Sequence, residues 1–304
     1  MLSRIKEWLF PTNKEVLHKK TESTPNTETA KTFEDFDQYL LDQYNRLETS
    51  FPLEDVEFVQ RRFTDYILRP TATWILIELG SEKALSTKDS RHLYQMLTKL
   101  TQITHASCKH LNEGKLGNDG YDFCGITPVI IYTALLGNEY IKQYFHASRP
   151  PSKTGYSAYK HTANLLTTIE NPSWPHCEQA KEKSKAFIHS KSHSKFDKAF
   201  VAFFYGLLLQ DKELVMQSLT RIDSGYLSTD WGRHKPYSKP ILIQSLIAYS
   251  EIHGECMLSN EFKSSITDVE WIELWKQLGT TTKEKDVQWY NFKDKLEFLN
   301  DLSF

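Results

Sequence analysis

The chain has 304 residues, with 37 Lys and Arg against 39 Asp and Glu and a formal net charge of −2. It can bury one large core or two smaller ones, and it lacks the basic surplus of dedicated nucleic-acid binders. We therefore expect no direct nucleic-acid binding. No apolar run reaches the length of a membrane span, and residues 1–10 are too short and too charged for a signal peptide. We expect a cytoplasmic protein without a membrane span.

The four cysteines stand singly along the chain, with no Cys-x-x-Cys pair among them. Isolated cysteines in a chain without an export signal are typical of reduced thiols. We predict that these cysteines form no disulfide and bind no metal: Cys108, Cys124, Cys177 and Cys256.

Residues 1–32 are predicted to be a flexible N-terminal segment, because the stretch from Thr21 to Thr32 carries one alanine and no larger apolar residue. Before it, apolar residues at helical spacing predict one or two amphipathic turns. Docking on the body or disorder is favoured over membrane binding, because a single weak anchor binds membranes poorly. The apolar residues of these turns are Leu2, Ile5, Trp8 and Leu9.

From Phe33 the spacing of apolar residues is helical, and a second helix is predicted after Pro52. Pro70 is expected to break or kink the pattern. After Ser86 and Thr87 a long helix is predicted, ending before the glycine-rich loop at 114–125. Its buried stripe consists of Leu93, Met96, Leu97, Leu100 and Ile103.

The stretch from Phe196 to Leu209 is apolar on every side and predicts a buried central helix. Ser194 is its expected N-cap, and Ala199, Ala202 and Gly206 form a smooth face that allows close helix packing. Asp211 is expected to cap the next helix, so the unit is a tight αα-hairpin.

Residues 132–141 align with residues 205–214, which indicates either repeated αα-hairpins or a chance likeness. Another apolar helix is predicted from Ile241 to a C-cap at Gly254. Two last helices carry Trp271 to Leu278 and Trp289 to Leu299, and strand signals are poor throughout. We predict an all-α fold for residues 33–304, an irregular helical bundle or a short solenoid of αα-hairpins, with a candidate helical subdomain from about 255.

A search for catalytic motifs finds no phosphate-binding glycine loop, nucleophile elbow or metalloprotease motif. Three weaker groupings favour structural roles over metal binding, and no cofactor is expected. They are His189 with His193, His105 with Cys108 and His110, and Asp119 with Asp122.

Charge is segregated along the chain, with an acidic stretch from Phe33 to Glu57 and a basic region from Lys142 to Lys198. Either the two regions attract each other or form solvated faces, or the acidic one steers a basic partner. The acidic candidates for partner binding are Glu34, Asp35, Asp37 and Asp42.

The connector from Asp223 to Lys239 is a second candidate surface, because it is rich in residue types that are common at interface hot spots. The alternative is that Tyr226 and Trp231 tuck over the ends of the hairpin. The connector candidates are Tyr226, Trp231, Arg233 and Tyr237.

The segment from Phe203 to Ile222, with Gln210 and Asp211 at its turn, and the segment from Pro240 to Gly254 resemble the C-terminal half of all-α immunity proteins of bacterial polymorphic-toxin systems. The family they resemble is the immunity protein 49 family. The piece from Ile130 to Phe145 would be the earlier hairpin, so the likeness covers about half of the chain. The resemblance implies a non-catalytic protein that binds and blocks a cognate toxin, and it transfers no site residue.

Three function classes follow from these observations. The first is an immunity protein that blocks a toxin by steric occlusion, including a toxin that acts on nucleic acid. The second is an all-α metal-dependent hydrolase whose acids and histidines converge only in the fold, and the third is a helical-repeat adaptor. The sequence leaves the oligomeric state open.

Overall fold

A computed structural model of the chain describes residues 30–112, 131–137, 142, 144–145, 150–152, 156–229, 232–253, 258–283 and 287–303. Helices of all types hold 77% of these residues, and this part of the chain contains no strand, so the all-α prediction is confirmed. The first α-helices are α1 Phe36–Ser50, α2 Val56–Phe63, α3 Thr73–Thr87 and α4 Ser90–Asn112. The later ones are α5 Ser157–Glu170, α6 Cys177–His189, α7 Lys195–Leu209, α8 Lys212–Gly225, α9 Ser238–Ile252, α10 Asn260–Ser265 and α11 Ile272–Lys283.

The predicted break at Pro70 is a change of helix type. A π-helix at Thr64–Ala72 joins α2 to α3, so the backbone stays helical from Val56 to Thr87. A proline removes one hydrogen bond of the helix, and a wider π segment accommodates such a loss without ending the helix. Short 3₁₀ helices complete the fold at Thr133–Leu136, Tyr226–Ser228, Gly232–His234, Val269–Trp271 and Asp294–Asn300.

Helix α7 is the centre of one half of the fold and packs against α5, α6 and α8. Ser194 accepts a hydrogen bond from the Asp197 N–H (3.0 Å), as expected of an N-cap. Most of the helix is buried, including Phe203 and Phe204 at 0% exposure, which confirms the predicted central helix.

The turn from α7 to α8 is as tight as predicted. Gln210 adopts a left-handed conformation at φ 55°, and Asp211 caps α8 by accepting from the Leu214 N–H (2.9 Å). A Cβ added at Gly206 would lie 3.1 Å from Val215 Cγ2, so the smooth face of α7 permits the close approach. Local sequence signals therefore define this hairpin completely.

The other half of the fold is built on α4, which packs against α3, α11 and the π-helix. Its predicted stripe is confirmed: Leu93, Met96, Leu97, Leu100 and Ile103 are all 0% exposed. Residues from Phe33 to Leu299 belong to one continuous apolar cluster that joins the two halves.

The last helix was predicted from Trp289 to Leu299, and this prediction is wrong in part. Residues 287–293 are not helical, and only the 3₁₀ helix Asp294–Asn300 follows them. The Gln102 amide on α4 donates to the Tyr290 carbonyl at 2.9 Å and the Leu299 carbonyl at 3.3 Å. These contacts satisfy backbone groups that a helix would otherwise pair, so the segment runs along α4 in an irregular conformation.

Two further sequence predictions can be compared with the structure only in part. Helix α9 starts at Ser238 and contains Pro240 in its first turn. A proline is tolerated there, because the N–H groups of a first turn have no partner within the helix. The predicted C-cap Gly254 lies outside the described residues, as do residues 1–29 and 138–141. Within the proposed repeat, Thr133–Leu136 is a 3₁₀ helix where residues 206–209 of the other copy are α-helical.

Gly80 sets the distance between α3 and α4, because a Cβ there would lie 2.7 Å from both Cβ and Cγ of Met96. We expect Gly80→Ala to lower the free energy of unfolding by about 1–3 kcal/mol, since a fixed Cβ cannot move aside without displacing its helix. Urea unfolding of the purified chain measures the change.

The matched control is Gly279→Ala in α11, where an added Cβ meets nothing within 4 Å. This substitution is expected to be neutral or to stabilise by up to about 1 kcal/mol, since alanine favours helix. Equal effects of the two substitutions would contradict the role of Gly80 as a spacer.

Candidate partner-binding surface

Helix α1 separates its apolar and acidic residues onto two sides. Phe36, Leu40 and Tyr44 are buried in the core, while Asp35 and Asp42 are exposed on the outward face. Apolar residues at helical spacing fix this orientation, so the acids between them must lie at the edges of the helix or face solvent.

Two acids of the stretch form ion pairs at the surface. Glu34 accepts from Lys83 Nζ at 2.5 Å, which lowers the pKa of its carboxyl group, and Glu48 pairs with Lys295. Both partners lie outside the basic region that was predicted to be a counterpart. Such exposed pairs contribute little to stability, and their acids remain at the surface.

Asp37 differs from its neighbours, because its carboxylate pairs with the buried Lys99 of α4 at 2.6 Å. The Lys99 side chain is 4% exposed and its Nζ lies 4.0 Å from the centroid of the Tyr290 ring. The Tyr290 hydroxyl donates a hydrogen bond to the other Asp37 oxygen. Burial lowers the pKa of Lys99, and the attraction of Asp37 opposes that shift. Asp37 therefore neutralises an interior charge.

Of the four predicted acids, Asp35 and Asp42 are the two that are exposed and form no ion pair with a lysine or arginine of the described residues. Asp42 accepts from Gln38 Nε2 at 2.8 Å, and Asp35 stands at the N-cap position without a side-chain capping bond. Neither contact neutralises the carboxylate, so both charges contribute to the field outside the protein.

The corner between α1 and α2 exposes apolar residues that the sequence analysis did not predict at the surface. Leu53 is 98% exposed and Val56 is 63% exposed, among the exposed acids Glu54 and Asp55. The Asp55 side chain caps α2 by accepting from the Phe58 N–H at 2.7 Å. The hydrophobicity of Leu53 and Val56 predicts that they are buried. Only Pro52, which favours a turn, indicated that they lie at the surface.

The connector residues divide between core and surface. Tyr226 is 0% exposed, and its hydroxyl donates to the Lys235 carbonyl at 3.0 Å, so its ring is unavailable to a partner in this structure. Tyr226 therefore packs over the end of the hairpin, as the alternative interpretation of the connector expected. Arg233 is exposed and Tyr237 is half-buried. Trp231 lies outside the described residues.

A carboxylate on α3 fixes the end of the connector. Glu78 accepts from the N–H groups of Ser238 (2.7 Å) and Tyr237 (3.3 Å), at the start of α9. Burial raises the pKa of Glu78 although these hydrogen bonds oppose the rise, and burial lowers the pKa of nearby Lys235 to about 8. The connector is therefore anchored to the body, and Arg233 projects from a fixed base.

The basic region is displayed mainly by α6, where Lys183 and Lys185 are exposed and Lys181 pairs with Glu178 at 2.7 Å. His193 stacks on Phe187 with a centroid distance of 4.1 Å, and His189 is exposed. The His189 and His193 side chains thus have different surroundings.

The remaining metal candidates are only partly described. His105 and Cys108 are buried, and His105 Nε2 lies 3.1 Å from the Ser303 carbonyl. Cys108 and Cys177 are free thiols, while Cys124, Cys256, Asp119 and Asp122 lie outside the described residues. The described residues contain no group of three or more potential metal ligands.

A shallow groove of about 300 Å³ holds a cluster that sequence reasoning missed. His253 and Cys177 both line it, and His253 Nε2 lies 3.0 Å from the Glu170 carboxylate. Glu170 is 2% exposed and also accepts from the Tyr249 hydroxyl at 2.6 Å. Its side chain therefore ties the ends of α5 and α9 together, across 79 residues of sequence.

Within the described residues no helix combines the length and apolarity required to cross a bilayer. Comparisons of the chain with protein-family models, with curated proteins and with solved structures found no match.

Asp37→Asn is expected to lower the free energy of unfolding by about 3 kcal/mol, because it leaves the Lys99 charge buried without its partner. Burial already lowers the pKa of Lys99 in the wild type, and the variant loses the attraction of Asp37 that opposes this shift, so the folded variant binds the Lys99 proton still less tightly than the unfolded state does. The stability of the variant should therefore rise with pH over a wider range below the unfolded pKa of Lys99, and by more, than that of the wild type. Urea unfolding at several alkaline pH values measures both effects.

Asp42→Asn is the matched control, since the Asp42 carboxylate is exposed and, among the described residues, is bonded only to the neighbouring Gln38. Its effect should stay within about 0.5 kcal/mol. A small, pH-independent effect of Asp37→Asn would show that the buried pair is unimportant for folding.

Proposed function

We propose that this protein is a non-catalytic immunity protein, which binds a cognate bacterial toxin in the cytoplasm and blocks its substrate site by steric occlusion. The proposal rests first on the resemblance of residues 203–222 and 240–254 to all-α immunity proteins. It is supported by the outward charges of α1, which a protein needs if it is to steer a basic partner.

The observation that carries the proposal is the division of the acidic stretch. Asp37 neutralises Lys99, whereas Asp35 at the N-cap of α1 and Asp42 on its outward face are exposed. Neither of these two forms an ion pair with a lysine or arginine of the described residues. Glu34 and Glu48 are paired with Lys83 and Lys295. The exposed carboxylates of Asp35, at the N-cap of α1, and of Asp42, seven residues later on the helix, are thus held at fixed spacing.

Carboxylates at fixed spacing can take the positions of phosphates in a basic cleft. A toxin that acts on nucleic acid carries such a cleft, because its substrate is a polyanion. An acidic helix inserted there would exclude the substrate without any chemistry. Arg233, Tyr237 and Trp231 remain candidates for a second contact, with Trp231 as its aromatic anchor.

The test partner is the cognate toxin, which is to be sought in the product of the neighbouring gene. We expect the double substitution Asp35→Asn with Asp42→Asn to slow association with this toxic domain by about 3- to 10-fold at low salt. The dissociation rate should change less, because rim charges act mainly on the encounter. Stopped-flow association over a range of ionic strength measures the effect. Asp37 is left intact so that folding is preserved.

Lys183→Gln with Lys185→Gln is the control, since it removes two exposed charges of the opposite sign from α6. It should leave association unchanged or make it slightly faster. Equal rates for the acidic double variant and the wild type at all salt concentrations would place the interface elsewhere. Toxin activity that persists within the complex would contradict occlusion.

A further inference from the structure

The corner between α1 and α2 has the composition of a contact surface. Two of its residues are apolar and exposed: Leu53 at 98% and Val56 at 63%. Single apolar residues on a surface need no explanation, but two within one turn, between exposed acids, are candidates for a contact. We call Leu53, Glu54, Asp55 and Val56 the corner surface.

The corner is held in one conformation by several contacts. The Glu54 N–H donates to the Phe51 carbonyl at 3.2 Å, and Asp55 caps α2. Beneath the turn, the rings of Phe51 and Phe58 meet edge to face at 5.4 Å. A preformed turn loses little conformational entropy when it binds, so its exposed side chains are suited to act as anchors.

The charge around Leu53 and Val56 indicates what kind of partner can bind there. Glu54, Asp55 and Glu57 are all exposed beside Leu53 and Val56. A symmetric dimer through this corner would bring the acids of both copies together, which is unfavourable. An anionic membrane surface would repel them as well. A basic protein with an apolar depression is complementary both to these acids and to the apolar side chains of Leu53 and Val56.

We infer that the corner surface is the apolar anchor by which this chain binds a basic protein, with Leu53 and Val56 entering a depression on the partner that is rimmed by lysine and arginine. This inference rests on the proposed function, since that partner is the toxin. The outward acids of α1 then control the rate of encounter, and the corner controls the lifetime of the complex.

The test is Leu53→Ser with Val56→Ser, measured against the same toxic domain. Burying two aliphatic side chains of this size contributes enough that the complex should dissociate about 10- to 100-fold faster, with little change in the association rate. Both side chains are exposed, so the variant should keep the urea-unfolding midpoint of the wild type.

Val269→Ser is the matched control, because Val269 is 84% exposed and lies outside the corner. It should leave the lifetime unchanged. A photo-crosslinking residue at position 53 should capture the toxic domain, whereas the same residue at position 269 should not.

Three outcomes would overturn this inference and leave the proposed function standing. The first is a wild-type lifetime for the double variant, and the second is capture from position 269 but not from position 53. The third is a wild-type dimer in sedimentation that Leu53→Ser dissociates, which would make a second copy the occupant. If the wild-type chain formed no complex with the toxic domain, the proposed function would fail, and this inference with it.

Discussion

The lysine buried at position 99 places a strong constraint on the structure. Its ammonium group must be neutralised in the interior, and Asp37 and Tyr290 come together around it from α1 and from the C-terminal segment. An unpaired ammonium would cost several kcal/mol, about as much as the whole stability of many domains. This ion pair therefore constrains the position of α1 relative to α4, and that of the segment around Tyr290 relative to both.

The same helix α4 explains why the last residues are not helical. Gln102, one turn beyond Lys99, donates to carbonyl groups of Tyr290 and Leu299, and Lys109 pairs with Asp301 at 2.7 Å. Polar side chains of α4 thus replace the internal hydrogen bonds that a helix would have made. The C-terminal residues belong to the apolar cluster of the N-terminal half through Leu296 and Leu299.

Sequence reasoning succeeded where the signal was local. The stripe of α4 and the capped hairpin at Asp211 follow from side-chain spacing and cap chemistry within a few residues. It could not foresee the Asp37–Lys99 pair, whose members stand 62 residues apart, since a run of acids does not show which one turns inward. Leu53 was missed for the opposite reason, because an apolar residue is expected inside unless its neighbours show otherwise.

The acids of the candidate surface divide into those that serve folding and those that are exposed and available for binding. Asp37 stabilises the fold, and Glu34 and Glu48 lie in exposed ion pairs. Asp35 and Asp42 face solvent at the N-cap and on the outward side of a helix whose apolar side is fixed in the core. Because folding uses Asp37, any test that removes all the acids together would confuse a loss of stability with a loss of binding. Separating the two is possible only because the outward acids and the apolar corner make few contacts with the core, so partner binding can change while the fold stays the same.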